Sequence, residues 1–316
     1  MTEQLENSLR IKVTGVCNRN CFFCHQEGGM EGLSEISYSS ELKRIIDTLY
    51  QEFNIQSISL TGGEPLLFTG LADFVQSISE NTAVKHFSLT TNGTVEKSRD
   101  FWIQLQKCGL HKVNVSMPDI LMNVPISSAT SELKIFQNQL STVELLNQIG
   151  INVNINVVVF NDKRYLLNVL NTIFENSTGC ENASIALLPN LTNSATFNNS
   201  QIVIHEILES LKCERIRLSH RKGTSNTVCD YITADGHHLQ VKTTKPNGNP
   251  KWLSSLCTNC DNRKECQEGF YGLRLERKND LLLLRLCLYK SDKNVLFTLD
   301  EFLTSPVFRE LKAMWG

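Results

Sequence analysis

An α/β fold is what this sequence predicts: a partial (β/α)6 barrel of the TIM type with a smaller C-terminal domain. Three observations predict it. Strand-like and helix-like segments alternate six times between residues 9 and 211, which implies a parallel sheet with crossover helices. Right-handed crossovers curl such a sheet into a full or partial barrel. Past residue 218 the pattern changes to short strands and turns with clustered cysteines, so a boundary is expected near residues 218–226, dividing the chain into 1–220 and 221–316.

Residues 9–14 alternate apolar and polar side chains, the mark of a half-buried strand. Residues 41–53 carry Leu42, Ile45, Ile46 and Leu49 at helical spacing. Strands follow at 57–60, 87–91 and 113–116, each trailed by a helix, at 71–78, 101–108 and 131–149. Residues 151–160 alternate Asn with Ile and Val as a fifth strand before a helix at 166–174, and 183–188 with 201–211 make the sixth pair. The stretches 176–184 and 190–200 are rich in Asn, Ser and Thr and read as loops. Near the C-terminus, residues 272–275 and 284–288 read as strands joined by a polar turn at 276–280.

The 31 basic and 33 acidic residues leave a formal charge of −2, with no global basic field to draw nucleic acid. Two local basic runs, His220-Arg221-Lys222 and Arg263-Lys264, read as solvated surface. The longest purely aliphatic run, residues 281–284, is far too short to cross a membrane. The opening Met1-Thr2-Glu3-Gln4 lacks the basic flank and apolar core of a signal peptide. The expectation is a soluble, cytoplasmic protein. Its 11 cysteines then serve as metal ligands or core residues rather than as disulfides.

Cys17, Cys21 and Cys24 lie on one short loop at the C-terminal end of the first strand. That end carries the active site in parallel α/β sheets. Three thiolates there can hold three irons of a cubane cluster and leave the fourth open for chemistry. Two other readings compete: a zinc knuckle with His25 as fourth ligand, and thiols brought together by chance. A second set, Cys257, Cys260, Cys266 and Cys287, has the ligand spacing C-x2-C-x5-C-x20-C, for a further iron–sulfur cluster or a four-cysteine zinc. The predicted hairpin would return Cys287 toward the other three. Cys108 and Cys213 end helical segments and read as packing residues. Cys180 lies in a polar loop, and Cys229, near the boundary, could face a cavity. Asp119 and Asp230 are candidate substrate contacts that no motif supports.

The first cysteine loop resembles the signature of the radical S-adenosylmethionine (SAM) superfamily, C-x3-C-x-aromatic-C, with Phe23 at the aromatic position. One β/α unit later, Gly62-Gly63-Glu64-Pro65 is similar to that family's Gly-Gly-Glu-Pro turn. The segments around Thr91 and Asn92 and around Ser116 resemble family segments near the methionine carboxylate and ribose of SAM. The resemblance implies that Cys17, Cys21 and Cys24 hold a [4Fe–4S] cluster. It also implies that Phe23, Gly62, Gly63, Glu64, Thr91, Asn92 and Ser116 surround SAM, with Glu64 offering its carboxylate to an ammonium group. The implied chemistry is reductive cleavage of SAM to a 5′-deoxyadenosyl radical, fed by a donor such as flavodoxin or ferredoxin.

Over nearly its full length the chain also resembles the GTP 3′,8-cyclase branch, and its C-x2-C-x5-C segment resembles SPASM/twitch domains. This implies an auxiliary iron–sulfur domain at 221–316 and two [4Fe–4S] clusters in all. Arg10, Arg274 and Arg285 match three cations with which the cyclase surrounds its triphosphate. The departures carry as much weight. Cys266 would supply a fourth thiolate where the cyclase leaves an iron vacant for its nucleotide base. Phe68, Asn154, Ala183 or Ser184, and Gly272 stand where the cyclase has Arg or Lys. Each lost charge-assisted contact costs about 1.5–3 kcal/mol. The expected enzyme therefore acts on a small metabolite other than GTP, such as a nucleotide, sugar or amino-acid derivative. Three readings compete: a GTP cyclase-like activity, a zinc-stapled binding protein, and a maturase of a ribosomally made peptide. For the last, no N-terminal extension is long enough to form a peptide-binding element.

Overall fold

The computed structural model describes residues 2–21, 24, 35–117, 130–176, 182–244, 250–290 and 294–315. The chain opens with β1 (Thr2–Gln4) and β2 (Asn7–Thr14). Helix–strand steps follow: α1 (Ser40–Phe53) and β3 (Ile55–Gly62), α2 (Leu71–Asn81) and β4 (His86–Thr91), α3 (Arg99–Lys107) and β5 (Leu110–Ser116). The series continues with α4 (Thr130–Ile149) and β6 (Asn152–Val159), then α5 (Lys163–Asn176) and β7 (Ala183–Pro189). α6 (Ser194–Ser210) leads into β8 (Glu214–His220), β9 (Thr227–Ile232) and β10 (His238–Thr243). The remainder is α7 (Ser254–Cys257), β11 (Leu273–Lys278), β12 (Leu281–Arg285), β13 (Leu296–Phe297), α8 (Leu299–Thr304) and α9 (Pro306–Trp315).

The strands make one sheet in the order β1-β8-β9-β10-β7-β6-β5-β4-β3-β2-β11-β12-β13. From β2 to β7 the neighbours are parallel, the six-unit barrel wall that the sequence predicts. The chain past residue 220 extends that wall at both ends, with β9 and β10 beside β7 and β11 to β13 beside β2. β1 pairs with β8 while β2, a few residues later, pairs with β3, so residues 2–14 join the two ends of the wall.

Period-two alternation splits each strand between core and lumen. On β2, Leu9, Ile11 and Val13 are each 0% exposed and enter the hydrophobic core with Leu42, Ile45 and Leu49 of α1. The residues between them face inward. Register places Arg274, Arg10, Ser59, Ser88 and Lys112 side by side across five strands. A second row runs Thr90, Asn114, Asn154, Ser184. Many TIM barrels fill the lumen with Val, Ile and Leu; here Ser, Asn, Lys and Arg line it and leave polar cavities.

Two loop expectations are corrected. Residues 194–200 are the first turns of α6, not a loop: Asn193 caps the helix, accepting from the Thr196 N–H at 2.9 Å, and the Thr196 hydroxyl accepts from the Asn193 N–H at 3.1 Å. Polar composition hides the helical face there, because the inward Ser200, 0% exposed, is satisfied locally by the Phe197 carbonyl and the Asn190 N–H. In the C-terminal hairpin the strands run to Lys278 and resume at Leu281. Only Asn279 and Asp280 turn, at φ 49° and 64°, a geometry that Asn and Asp tolerate. Asn193→Ala is expected to lower stability by about 1 kcal/mol in anaerobic urea unfolding, with Asn198→Ala, on the exposed side of the same helix, within about 0.5 kcal/mol of the parent.

Candidate functional site

The cysteine loop leaves β2 and is held by the turn after β3. The Gly63 N–H donates to the Thr14 carbonyl at 2.9 Å and the Glu64 N–H to the Val16 carbonyl at 2.7 Å. The two backbones approach so closely that a Cβ on Gly63 would lie 2.1 Å from the Val16 oxygen, and one on Gly62 would lie 2.3 Å from that of Thr14. The glycines thus admit the cysteine loop itself, as well as lining the cavity beyond it.

Glu64 is 0% exposed and does not reach out as a free carboxylate. Its Oε1 accepts from the Thr91 hydroxyl at 2.7 Å and the Leu66 N–H at 3.0 Å, and its Oε2 from the Asn92 N–H at 2.7 Å. Burial raises its pKa, and those three donors pull against the rise. Asn92 in turn donates through Nδ2 to Asn18 Oδ1 at 2.9 Å, and Asn18 donates to the Thr94 hydroxyl at 2.8 Å. The Gly-Gly-Glu-Pro turn, the end of β4 and the cysteine loop form one hydrogen-bonded unit.

A cavity of about 370 Å³ opens beside this unit, and Cys17, Cys21 and Cys24 all line it with Gly62, Gly63 and Asn92. The Cys24 N–H donates to the Cys21 carbonyl at 3.0 Å, and the Arg19 N–H points at Cys17 Sγ at 3.4 Å. Burial pushes the Cys17 thiol up, opposed by that N–H, with Glu64 and Cys24 adding to the rise. Ser116 and Thr91 also line the cavity. Gln139 of α4, which the sequence pattern did not single out, is 1% exposed there. Its Nε2 donates to the carbonyls of Asn92 at 2.6 Å and Ser116 at 3.0 Å, while its Oε1 has no partner among the described residues. Three thiols on one wall and an orphaned acceptor on another fit a cluster with SAM bound against it. Phe23, His25, Asp119 and Cys180 lie outside the described residues.

The second cysteine set also converges. The pKa of Cys257 is raised first by burial and then by Cys266, Cys287 and Cys260, all within electrostatic reach. Backbone donors surround these sulfurs: Gly269 N–H to Cys266 at 3.3 Å, and the amides of Lys290 and Tyr289 to Cys287. Such N–H groups favour thiolates and suit iron–sulfur ligation. No group of three or more His, Cys, Asp or Glu among the described residues is arranged for a single metal ion. Cys108 and Cys213 pack beside the core, and Cys229 does the same without lining either large cavity.

A second cavity, of about 490 Å³, lies toward the N-terminal ends of β2, β3 and β5 and shares Arg10, Asn114, Lys242, Tyr271 and Arg274 with the first. Its cations include Lys112, Arg217 and Arg221, positions that sequence reasoning did not select. Arg221 is not the solvated surface residue its basic run suggests, because β1 pairs across β8 and Arg221 Nε donates to the Glu6 carbonyl at 2.8 Å. Asp230 lines this cavity, engaged by Arg217 and Gln240, each at 2.8 Å. Lys242 donates to Asn156 Oδ1 at 3.0 Å, and no carboxylate partners it among the described residues. Burial and the nearby Lys112 and Arg10 bring its pKa down from 10.5 to about 7.

Two expected substrate cations are otherwise engaged. Arg285 lies outside both large cavities; it donates to the carbonyls of Cys287 at 2.8 Å and Leu288 at 2.6 Å and faces Glu276 at 3.4 Å. It holds the Cys287 loop because β12 ends there and leaves those carbonyls unpaired. Arg274 lines both large cavities but is paired with Glu268 at 2.7 Å.

The radical SAM superfamily model matches residues 11–165. A probable GTP 3′,8-cyclase of Thermoplasma volcanium is 29% identical over 311 residues, spanning 96% of this chain and 87% of its own. Another, from Archaeoglobus fulgidus, is 28% identical over 271 residues, spanning 83% of each. Among solved structures, Streptococcus suis SuiB bound to S-adenosylmethionine superposes with a TM-score of 0.56 at 14% identity, over 98% of this chain and 66% of that one, a likeness of fold.

Gly63→Ala is expected to push the cysteine loop away and to leave less than half of the parent's iron after anaerobic reconstitution, read by iron analysis; unchanged iron would contradict the backbone latch. Between pH 7 and 10.5 the unfolded chain keeps a Lys242 proton that the folded chain has lost, so stability contributed by this site rises with pH across that window. Lys242→Met should remove that slope. Near pH 8, pyrophosphate binding should take up more protons in the parent than in the variant, measured by calorimetry in buffers of different ionisation enthalpy.

Proposed function

We propose that this chain is a radical SAM enzyme that cleaves SAM reductively and takes a hydrogen atom from a small anionic metabolite other than GTP, held in the barrel lumen. The observation that carries the anion is the surplus of cations around the second cavity: Arg10, Lys112, Arg217, Arg221 and Lys242 against Glu6 and Asp230. Cations gathered around one cavity repel one another and gain from a phosphate or carboxylate placed among them.

Cys17, Cys21 and Cys24 would hold the cluster, which when bound supplies the electron that splits SAM into methionine and a 5′-deoxyadenosyl radical. Everything else falls to the chain's own residues. Asn92, Ser116 and Gln139 line the space for SAM, and the free Gln139 Oε1 accepts from a hydroxyl or amine there. Arg10, Lys112 and Lys242 fix the substrate's anion and so choose which carbon faces upward. Val158, Leu188 and Leu288 shield the space between. Position decides the product, because a primary carbon radical reacts with any C–H bond near it.

Within the same reading, residues 221–316 form a SPASM/twitch-like unit whose four cysteines hold a second [4Fe–4S] cluster, for electron transfer or for structure. A flavodoxin or ferredoxin serves as donor, and the site of action is the cytoplasm. Among the described residues no helix is long and apolar enough to cross a membrane. Several observations speak against GTP. Phe68 is packed on Phe74 with ring centroids 6.1 Å apart. Asn154 is taken up by Ser184 at 2.7 Å and Asn114 at 3.4 Å. Arg274 is neutralised by Glu268, and Cys266 lies among the other thiols, where as a fourth ligand it would leave no iron of a cluster open to a base. A second reading, GTP 3′,8-cyclase-like, is favoured by the relatives and by the lumen cations Lys112, Arg217, Arg221 and Lys242.

The test is anaerobic incubation of reconstituted protein with SAM, reductant and deuterated anionic metabolites. About eight irons per chain and deuterium in 5′-deoxyadenosine are expected, with none from GTP. SAM left intact under strong reductant would overturn the proposal, and deuterium transferred from GTP would establish the second reading.

A further inference from the structure

Glu268 stands on the wall between the first cavity and the second cysteine set, on the segment joining Cys266 to β11. It is 3% exposed. Arg274 Nη2 donates to its Oε1 at 2.7 Å, with the two side chains 9% and 4% exposed. Arg274 is itself seated over the Tyr271 ring at 5.9 Å. The carboxylate is therefore held in place by a guanidinium that is held in place in turn. Yet its other oxygen, Oε2, is buried without any hydrogen-bond partner among the described residues.

A buried carboxylate oxygen without a donor costs free energy that folding recovers nowhere else. A purely structural Arg–Glu pair removes that cost by engaging both oxygens in a bidentate fork. Here one oxygen is fixed and the other is left, in a residue that lines the cavity where a radical would form. We infer that Glu268 Oε2 accepts a hydrogen bond from a hydroxyl or amino group of the substrate, and that Glu268 is a specificity-determining residue. This rests on the anion reading of the lumen and deepens it: the substrate carries an anion at one end, for Arg10, Lys112 and Lys242, and a donor group at the other, for Glu268. A substrate with an anion alone satisfies half of the site.

The test uses protein with both clusters reconstituted and calorimetry with a homologous series of ω-aminoalkyl phosphates against alkyl phosphates of equal length. At the length that spans the site, the amine is expected to bind about tenfold more tightly than its alkyl partner. Glu268→Gln keeps an acceptor for Arg274 but presents a donor where Oε2 was, and should erase that preference with SAM affinity unchanged and alkyl phosphate binding no weaker, because Arg274 loses its counter-charge. Glu268→Asp, which keeps the charge and withdraws it by one methylene, should do the same with iron content intact. Alkyl phosphates that bind with no amine preference at any length would overturn the inference and spare the anion reading. Loss of SAM affinity in Glu268→Gln would overturn it too, by assigning the oxygen to SAM. Glu268-dependent binding of alkylamines without any phosphate binding would sustain it and remove the anion reading. Absence of all binding would remove both.

Discussion

The site depends on two backbone hydrogen bonds between the turn after β3 and the chain leaving β2. Gly63 to Thr14 and Glu64 to Val16 fix the first residues of the cysteine loop against the sheet. Nothing larger than glycine fits at that crossing. The buried Glu64 carboxylate extends the hold sideways to Thr91 and Asn92, and Asn92 returns to the loop through Asn18. A loop carrying three thiols has no core of its own, and this network gives it a fixed place without occupying the cavity in front of it.

The lumen follows from a different constraint. Parallel strands must bury their outer faces under helices, and Leu9, Ile11 and Val13 on β2 do so completely. The inner faces are then free to be polar, provided each group finds a partner or a ligand. Asn154 and Asp230 find partners among their neighbours; Lys242 has one neutral acceptor and no counter-charge among the described residues. The unequal satisfaction separates groups that shape the cavity from groups left for a ligand.

The two halves of the chain meet around that space. The C-terminal segment contributes Glu268, Tyr271 and Arg274 to the wall facing Cys17, Cys21 and Cys24. Arg285, which resembles a substrate cation by position in the sequence, is used to hold the Cys287 loop. Arg274 keeps its place in the cavity but is neutralised by its own neighbour. Charge counted along a sequence therefore misstates the charge a ligand would meet.

The sequence by itself determined the six β/α units, the cysteine loop and the Gly-Gly-Glu-Pro turn, because period-two and helical spacing and fixed ligand intervals are local properties of neighbouring residues. It misread residues 194–200, where a cap rather than an apolar stripe starts the helix. Only the tertiary structure decided which polar residues share the lumen. Lys112, Arg221, Lys242 and Gln139 come from elements far apart in the chain, and their meeting is set by strand register, the pairing of β1 with β8 and helix packing. Tertiary packing likewise decided that Glu64 is spent on holding Asn92 and that Glu268 keeps one oxygen without a partner among the described residues, since hydrogen-bond satisfaction belongs to positions in space and has no periodic trace in the sequence.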